Sequence, residues 1–397
     1  MRYSLLCLFV VPTLFACTDI QDPSSAIPAQ EAVVPERAGP GAFTVATWNV
    51  YYGADLDVLV SASGLPLPVR VAQVLAQVQA TNAPARADAI ARALAAAAPH
   101  LIGLQEVAWY RMQSPGDFLS AAGAVNNPVP NAGTDVFDFL QLLRAALASY
   151  GLEYTEAART TTFDVELPVY TGGPCPPCDD LRLTESVAIL KRSDVVTSNS
   201  SSHLFAVNLP VSVEGFSLEI VKGWASVDAT LKGRSYRFVT THLEPADIGP
   251  GHAVVPEVHQ LQLAQATQLL GSLAGADIPV IITGDLNSDP DGSTTQTYDL
   301  MRGEGFVDLW LQGRRARDAG FTANQAADLL NASSQLSHRV DFVLYRDDKT
   351  ELGGPFRGAV QLMLLGDQQA DRTPGGLWPS DHAGVLATLR TAQARDR

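Results

Sequence analysis

Cysteine is scarce, with four in 397 residues. That is too few to staple a chain of this size, so stability has to come from a buried core. Charge is scarce too, at 17% of residues, and positive charge most of all: 27 Lys+Arg stand against 42 Asp+Glu, a formal net charge of −15. Such a balance repels polyanions at long range and excludes a protein that coats nucleic acid by bulk basicity. A local basic or metal-lined cleft for one phosphate stays compatible with it. No internal repeat at a solenoid period is present. What the chain has in quantity is hydrophobic residues, 46%, which excludes a wholly disordered polypeptide. Its length allows two or three domains of roughly 150 residues or one large α/β domain.

The first residues read as a targeting segment. A short basic start, Met1-Arg2-Tyr3, precedes a nearly unbroken apolar run from Ser4 to Phe15. That run is too short for a bilayer core, which needs about 20 apolar residues, and suits a secretory signal over 1–16. Leu14-Phe15-Ala16-Cys17 resembles a bacterial lipobox, in which Cys17 would be lipidated and become the new N-terminus. Phe15 is bulkier than that pattern usually carries, so plain cleavage and secretion is the alternative. The expected location is exported: an outer-membrane or cell-surface lipoprotein, otherwise secreted or periplasmic. Residues 17–41, rich in Pro, Ala, Gln and Ser without hydrophobic period, read as a flexible tether, and 42–397 as the folded domain. With Cys7 in the signal, Cys175 and Cys178 remain, in GGPCPPCDD. A redox pair, half a zinc site and a small disulfide are the options. No second Cys pair exists to complete zinc, and export favours oxidation. A loop-rigidifying disulfide is therefore expected.

Along the domain, apolar runs repeatedly end in polar residues. Strands are expected at Phe43–Val50, Leu101–Leu104, Ser186–Leu190, Pro279–Thr283, Val340–Tyr345 and Val385–Leu389, with a hairpin around Lys232-Gly233 linking Phe216–Thr230 to Ser235–Thr241. Helices are expected at Ala85–Ala98, around Phe137–Tyr150 and at Val258–Leu273. Hairpins imply antiparallel pairing, so two packed sheets with helices outside fit better than a doubly wound parallel sheet. Asn49, Glu106, Glu185, His242, Asp285, Asn287, Asp341, Asp381 and His382 each sit beside an apolar run. Singly these read as turns, caps or solvated strand ends. Together, at one edge of a sandwich, they would line a cleft with oxygen and imidazole groups.

The strings ATWNV (46–50), GLQEV (103–107), TESVAIL (184–190), VTTHLEP (239–245), GDLNSDP (284–290), RVDFVL (339–344) and SDHAGV (380–385) resemble, in order and wording, the endonuclease/exonuclease/phosphatase superfamily. This is the metal-dependent phosphoesterase fold shared by deoxyribonuclease I, neutral sphingomyelinases and inositol polyphosphate phosphatases. The resemblance spans residues 43 to 389. It implies an α/β fold, a four-layer α/β/β/α sandwich of two mixed, largely antiparallel sheets flanked by helices. It also implies Glu106 as principal Mg²⁺ ligand, supported by Asn49 with Asp381 nearby, Mn²⁺ or Ca²⁺ being alternatives. A hard cation suits the task because it neutralises the phosphate charge that repels a nucleophile. By the same likeness Asp285 serves the attacking water or a second metal, and Asn287 a phosphate oxygen. His382, paired with Asp341, is the general-base candidate; His242, paired with Glu185, donates to the phosphate or leaving oxygen. Arg182 is a phosphate-contact candidate. The abasic-site endonuclease branch typically carries Tyr where His242 stands, so the other branches are the better likeness.

Substrate choice in such a fold lies in its loops. The segments 55–84, 111–135, 164–180, 246–257 and 312–337 are not notably basic and lack the aromatic and Lys/Arg interleaving of a nucleic-acid groove. Trp109, Tyr110, Phe118, Phe163, Tyr170, Leu377 and Trp378 suggest an apolar approach. A phospholipid-like or small organic phosphoester is the expected substrate, and an extracellular nuclease the alternative. A binding-only protein on a degenerate site is disfavoured, because the metal carboxylates and both histidines are present. Nucleic acid enters only as substrate, membrane only through a lipidated Cys17, and no obligate protein partner is implied.

Overall fold

The computed structural model describes residues 41–60, 64–214, 216–246, 254–313, 318–347 and 355–391. The expected signal segment, the expected tether up to residue 40, Cys17 and His252 lie outside the described residues. In chain order the first half forms β1 (Ala42–Asn49), α1 (Leu67–Ala80), α2 (Ala83–Ala97), β2 (Leu101–Gln105), β3 (Trp109–Gln113), β4 (Thr134–Asp138), α3 (Phe139–Ser149), β5 (Tyr154–Val169) and β6 (Asp179–Arg192). The second half forms β7 (Val196–Leu204), β8 (Leu209–Val213), β9 (Phe216–Ile220), β10 (Gly223–Leu231), β11 (Arg234–His242), α4 (Pro256–Ser272), β12 (Val280–Asp285), α5 (Thr297–Gly303), β13 (Val307–Asp308), α6 (Leu309–Gly313), β14 (Asp341–Arg346), β15 (Gly358–Leu365) and β16 (Gly384–Thr391).

Two mixed sheets result. The first runs β15-β16-β1-β2-β6-β3-β4, with β5 along the other side of β6; the second runs β13-β14-β12-β11-β10-β7. Two pairings are parallel, β1 with β2 and β11 with β12. Each needs a crossover, supplied by α1–α2 and by α4 respectively. The other pairings are antiparallel, as short hairpin links require.

Alternation along the strands builds the layers. Phe43, Val45, Val187 and Ile189 point to Val227, Phe238, Ile281 and Val343 of the facing sheet. Ala46, Trp48, Leu104 and Leu190 point the other way, onto Ile90 and Leu94 of α2 and Phe139 and Leu143 of α3. On the far side Val239, Ile282 and Leu344 pack on Ala266 and Leu269 of α4 and Met301 of α5. The order is helix, sheet, sheet, helix, as the sequence implied.

Several segments taken as loops are regular. Residues 55–84 contain α1, whose Val71, Val74, Leu75 and Val78 are buried at helical spacing. Residues 164–180 hold the end of β5 and the start of β6, because Ser186–Leu190 is the middle of a 14-residue strand. The run Phe216–Thr230 breaks at Lys222 into β9, which pairs with β8, and β10, which pairs with β11.

Between the sheets the packing tightens near one end. A Cβ on Gly103 would lie 2.5 Å from Thr283 Oγ1 and 2.6 Å from Thr240 Oγ1. Only glycine lets the facing strands approach there. Gly103→Ala is therefore expected to cost about 1–3 kcal/mol, read as a lowered urea midpoint with unchanged far-ultraviolet circular dichroism in water; an unchanged midpoint would show the interface is slack.

Candidate active site

Register alone brings most of the polar strand ends together. In the second sheet His242 pairs with Asp285, and Asp285 with Asp341, so three adjacent strands present these residues in one row. In the first sheet Asn49 pairs with Gln105, the residue before Glu106. Glu106 lies in the gap where β2 ends and β3 begins along β6, with Val107 and Ser186 exchanging backbone hydrogen bonds just beyond it. Its φ is +54° and that of Tyr51 +65°, left-handed conformations that cost a side-chain-bearing residue energy and persist where surrounding structure holds them.

The contacts define two histidine–carboxylate pairs around a carboxylate cluster. His382 Nδ1 lies 2.8 Å from Asp341 Oδ2, which leaves Nε2 as its working nitrogen. His242 Nδ1 stands 3.4 Å from Glu185 Oε1, and its Nε2 3.6 Å from Asp285 Oδ2. Asn49 sits between two carboxylates: its Nδ2 donates to Glu106 Oε1 at 3.0 Å and to Asp285 Oδ2 at 3.1 Å. The second Glu106 oxygen accepts the Tyr52 backbone N–H at 3.0 Å. Asn287, at φ +48°, donates its backbone N–H to Asp285 Oδ1 at 2.9 Å and an amide N–H to the Leu243 carbonyl at 2.8 Å. Ser380 Oγ donates to the Asn49 carbonyl at 2.7 Å, which ties the loop carrying Asp381 and His382 to the end of β1. Trp48 Nε1 donates to the His382 carbonyl at 3.0 Å.

Crowded like charge sets the electrostatics. Burial, and then Asp381, push the Glu106 carboxyl up to about 7. Burial alone would raise Glu185 as well, but Lys222 and His242 outweigh it and hold it down at about 2. Burial works against the imidazolium of His382, yet Asp341 and Asp381 hold its proton well above the ordinary histidine range. Asp341 and Asp381 are both raised, burial being the main cause. The donor set fits a hard divalent cation: it is all carboxylate, amide and imidazole, without thiolate. The buried Asp341 Oδ1 accepts no hydrogen bond among the described residues, and ligand atoms of Asp285, Asp341 and His382 lie within 4.8 Å of one another.

Three sequence expectations change. Arg182 faces away from this chemistry: its guanidinium grips Asp164 with Nε at 2.8 Å and Nη2 at 2.6 Å, so it closes a cross-strand ion pair. Asn49 turns its NH₂ to the carboxylates while its Oδ1 accepts the Tyr51 N–H at 3.1 Å, so it spaces and orients acids. Of the aromatic approach, Tyr110, Phe118, Leu377 and Trp378 are buried in the core. Cys175 and Cys178 form a disulfide. His100, His203, His259 and His338 stand apart from the cluster, on Thr44, Trp224, Gln296 and Asp289 respectively.

Two contributors were missed. Lys222, buried, has its Nζ 3.3 Å from His242 Nδ1, 3.3 Å from the Tyr52 hydroxyl and 3.7 Å from Glu185. Burial would lower its ammonium, but Glu185 and Glu244 raise it. A single lysine inside the apolar run EIVKGWASV was the available signal. Arg86, fully buried behind the cluster, donates to the carbonyls of Thr81, Val50 and Pro379 and so joins the β1 loop to the Asp381 loop. Burial lowers it to about 10, and it remains a cation.

Raised groups stabilise the fold in their protonated form. For Glu106 and Glu244, each pushed to about 7 mainly by burial, that contribution is complete below the unfolded carboxylate range and lost as pH rises through 7. His382 acts in the same direction. Chelator-treated protein should therefore melt at a lower temperature at pH 8 than at pH 5. An added divalent cation should raise the melting temperature more at pH 8; equal gains at both would contradict the shift.

Comparison with known proteins agrees with this geometry. Residues 46–382 match the model of the Endonuclease/Exonuclease/phosphatase family. The fold is similar to that of a family protein from Bacteroides thetaiotaomicron, at 17% identity and TM-score 0.52, covering 89% of this chain and 99% of that one. It is also similar to one from Bacteroides vulgatus, at 17% identity and TM-score 0.50, covering 88% and 99%. A humanised TDP2 from D. rerio gives 18% identity and TM-score 0.50, covering 88% and 100%. No curated protein matches. The chain belongs to the endonuclease/exonuclease/phosphatase family, whose members are metal-dependent phosphoesterases and nucleases.

Proposed function

We propose that this chain is an exported, metal-dependent phosphoesterase that hydrolyses a phosphodiester or phosphomonoester by in-line attack of water, with a lipid-like or small organic phosphoester as substrate. The observation that carries the reading is the meeting of two histidine–carboxylate pairs with Glu106, Asp285 and Asp381 at one edge of both sheets. Export and a lipid anchor at Cys17 rest on the composition of residues 1–41 alone. Mg²⁺ bound by Glu106 and Asp381 would neutralise the phosphate and polarise the scissile group.

The protein's own groups then have separable tasks. Where a bound cation offsets the surrounding carboxylates, His382 in its neutral form would take a proton from the attacking water through Nε2, and Asp341 at Nδ1 would stabilise the imidazolium that forms. Asp285 orients that water, or serves a second cation. His242 donates from Nε2 to the phosphate or leaving oxygen. Lys222 offsets the charge of Glu185 and Glu244 beside it. An amide has two N–H donors, so Asn287 keeps one for a phosphate oxygen after meeting Leu243.

The lean toward a lipid-like substrate has a structural support. An apolar groove, partly open to solvent, is lined by Leu56, Val71, Phe163, Leu183, Val213, Ile220 and other apolar side chains. Tyr52 packs on the same cluster while its backbone holds Glu106 and its hydroxyl meets Lys222. Ile220 is two residues before Lys222, and Phe163 pairs with Glu185 across β5–β6. A groove sharing a wall with the cleft suits the alkyl limb of a substrate whose phosphate sits at Glu106.

Purified protein with Mg²⁺ is expected to cleave bis-p-nitrophenyl phosphate. EDTA, Glu106→Ala and His382→Ala should each lower kcat about 100-fold or more. Asp341→Asn should lower kcat and move the acid limb of the pH–rate profile to lower pH; an unmoved limb would remove His382 as the base. Across p-nitrophenyl phosphodiesters of rising alkyl length, kcat/KM should climb, and Val213→Asp should flatten the climb while sparing the methyl ester. Preference for plasmid DNA over every alkyl ester and over sphingomyelin would instead place the protein among the nucleases.

A further inference from the structure

A second group of acids lies far from the cleft. Asp117, Glu166 and Asp180 each offer a carboxylate oxygen within 4.8 Å of the others'. Glu166 and Asp180 are 2% and 0% exposed. Asp180 precedes Glu185 by five residues on β6, about 16 Å along an extended strand, so the two groups are separate.

Each of the three carboxylates is divided in the same way. One oxygen is filled by N–H donors. Asp180 Oδ2 accepts the backbone N–H of Asp117 at 2.6 Å and of Phe118 at 2.9 Å. Glu166 Oε2 accepts those of Asn131 at 2.7 Å and Ala132 at 2.6 Å. Asp117 Oδ2 accepts the side-chain amides of Asn127 at 3.1 Å and Asn131 at 3.0 Å. The other oxygen of each, Asp180 Oδ1, Glu166 Oε1 and Asp117 Oδ1, is buried and accepts no hydrogen bond among the described residues. Six N–H donors thus occupy one oxygen of each acid, and the remaining three oxygens converge without a donor among the described residues. Arg111 and Arg182, the nearby guanidiniums, are engaged by Asp164. Unpaired buried carboxylates are costly. Backbone space is reserved for the arrangement as well, since a Cβ on Gly116 would lie 2.4 Å from the Asp180 carboxyl carbon.

We propose that Asp117, Glu166 and Asp180 form a structural Ca²⁺ site, distinct from the catalytic cleft, that fastens the 114–133 segment to β5 and β6. A hard cation with oxygen ligands answers all three orphaned atoms at once. An irregular loop-and-strand set suits Ca²⁺, which tolerates variable geometry, better than Mg²⁺, which demands a near-ideal octahedron and keeps its waters. Burial raises the Asp180 carboxyl, with Glu166 and Asp117 adding like charge against the lowering by its two backbone donors. The fastened segment carries Phe118, whose ring meets Phe216 of β9 at 5.2 Å, so the site also steadies the groove wall.

The test is a CaCl₂ titration of EGTA-stripped protein in constant excess MgCl₂, followed by calorimetry and by melting temperature. Wild type should bind one Ca²⁺ saturably and melt higher. Asp180→Asn and Glu166→Gln should each bind at least about tenfold more weakly and lose the rise, while Glu106→Gln keeps it. In EGTA both site variants should melt at or above wild type, because they have lost a like charge. If either folds poorly, Asp117→Asn, on the more exposed member, serves the same comparison. No Ca²⁺-dependent change in wild type would overturn the site, as would a rise that survives the site variants and vanishes in Glu106→Gln.

Discussion

Mutual repulsion among buried carboxylates is the constraint around which this end of the molecule is arranged. Glu106, Asp285, Asp341 and Asp381 arrive on four different chain segments, and burial with like charge raises Glu106 to about 7. The protein counters that repulsion with few groups. Asn49 stands between Glu106 and Asp285 with its amide hydrogens. His382 Nδ1 meets Asp341 at 2.8 Å, and Lys222 faces Glu185. The negative charge these leave unbalanced is what a divalent cation would balance, so affinity for the cation and instability without it have one source.

The fold keeps those charges in place with uncharged precision elsewhere. Parallel β11–β12 and antiparallel β12–β14 pairing sets His242, Asp285 and Asp341 side by side. Gly103 lets the sheets close over Thr240 and Thr283. Arg86 reaches Val50 on one loop and Pro379 on the other, so the two loops that bring Asn49 and Asp381 cannot drift apart without stranding a buried guanidinium. The Glu106 backbone, at φ +54°, stores strain where the chain passes from β2 to β3.

Much of this was legible in the sequence because strands that end in a polar residue at the rim of a core leave a local mark. ATWN, GLQE, TTH and TGD each carry an apolar alternation that stops at the functional side chain, and each lies at the end of an observed strand. The β8–β9 hairpin and the 16-residue β5 left no such mark, since their polar faces are exposed and their partners distant. Lys222 was written plainly as a lysine among apolar residues, but its meaning depends on β10 lying beside β11. Asp117, Glu166 and Asp180 are spread over 63 residues' separation, and only the β5–β6 register and the returning 114–133 segment make them neighbours. Arg182 erred the other way: its sequence position near Glu185 suggested the cleft, while strand alternation turned it to Asp164.

The central claim is that the Glu106 cluster holds a proton at neutral pH which a hard divalent cation displaces. It is tested most directly by titration calorimetry of Mg²⁺ at pH 6.5 in buffers of different ionisation enthalpy, for wild type and Glu106→Gln. The account predicts proton release on binding in wild type, and loss of both the release and most of the affinity in the variant. Binding without proton release, or binding unchanged in Glu106→Gln, would contradict it.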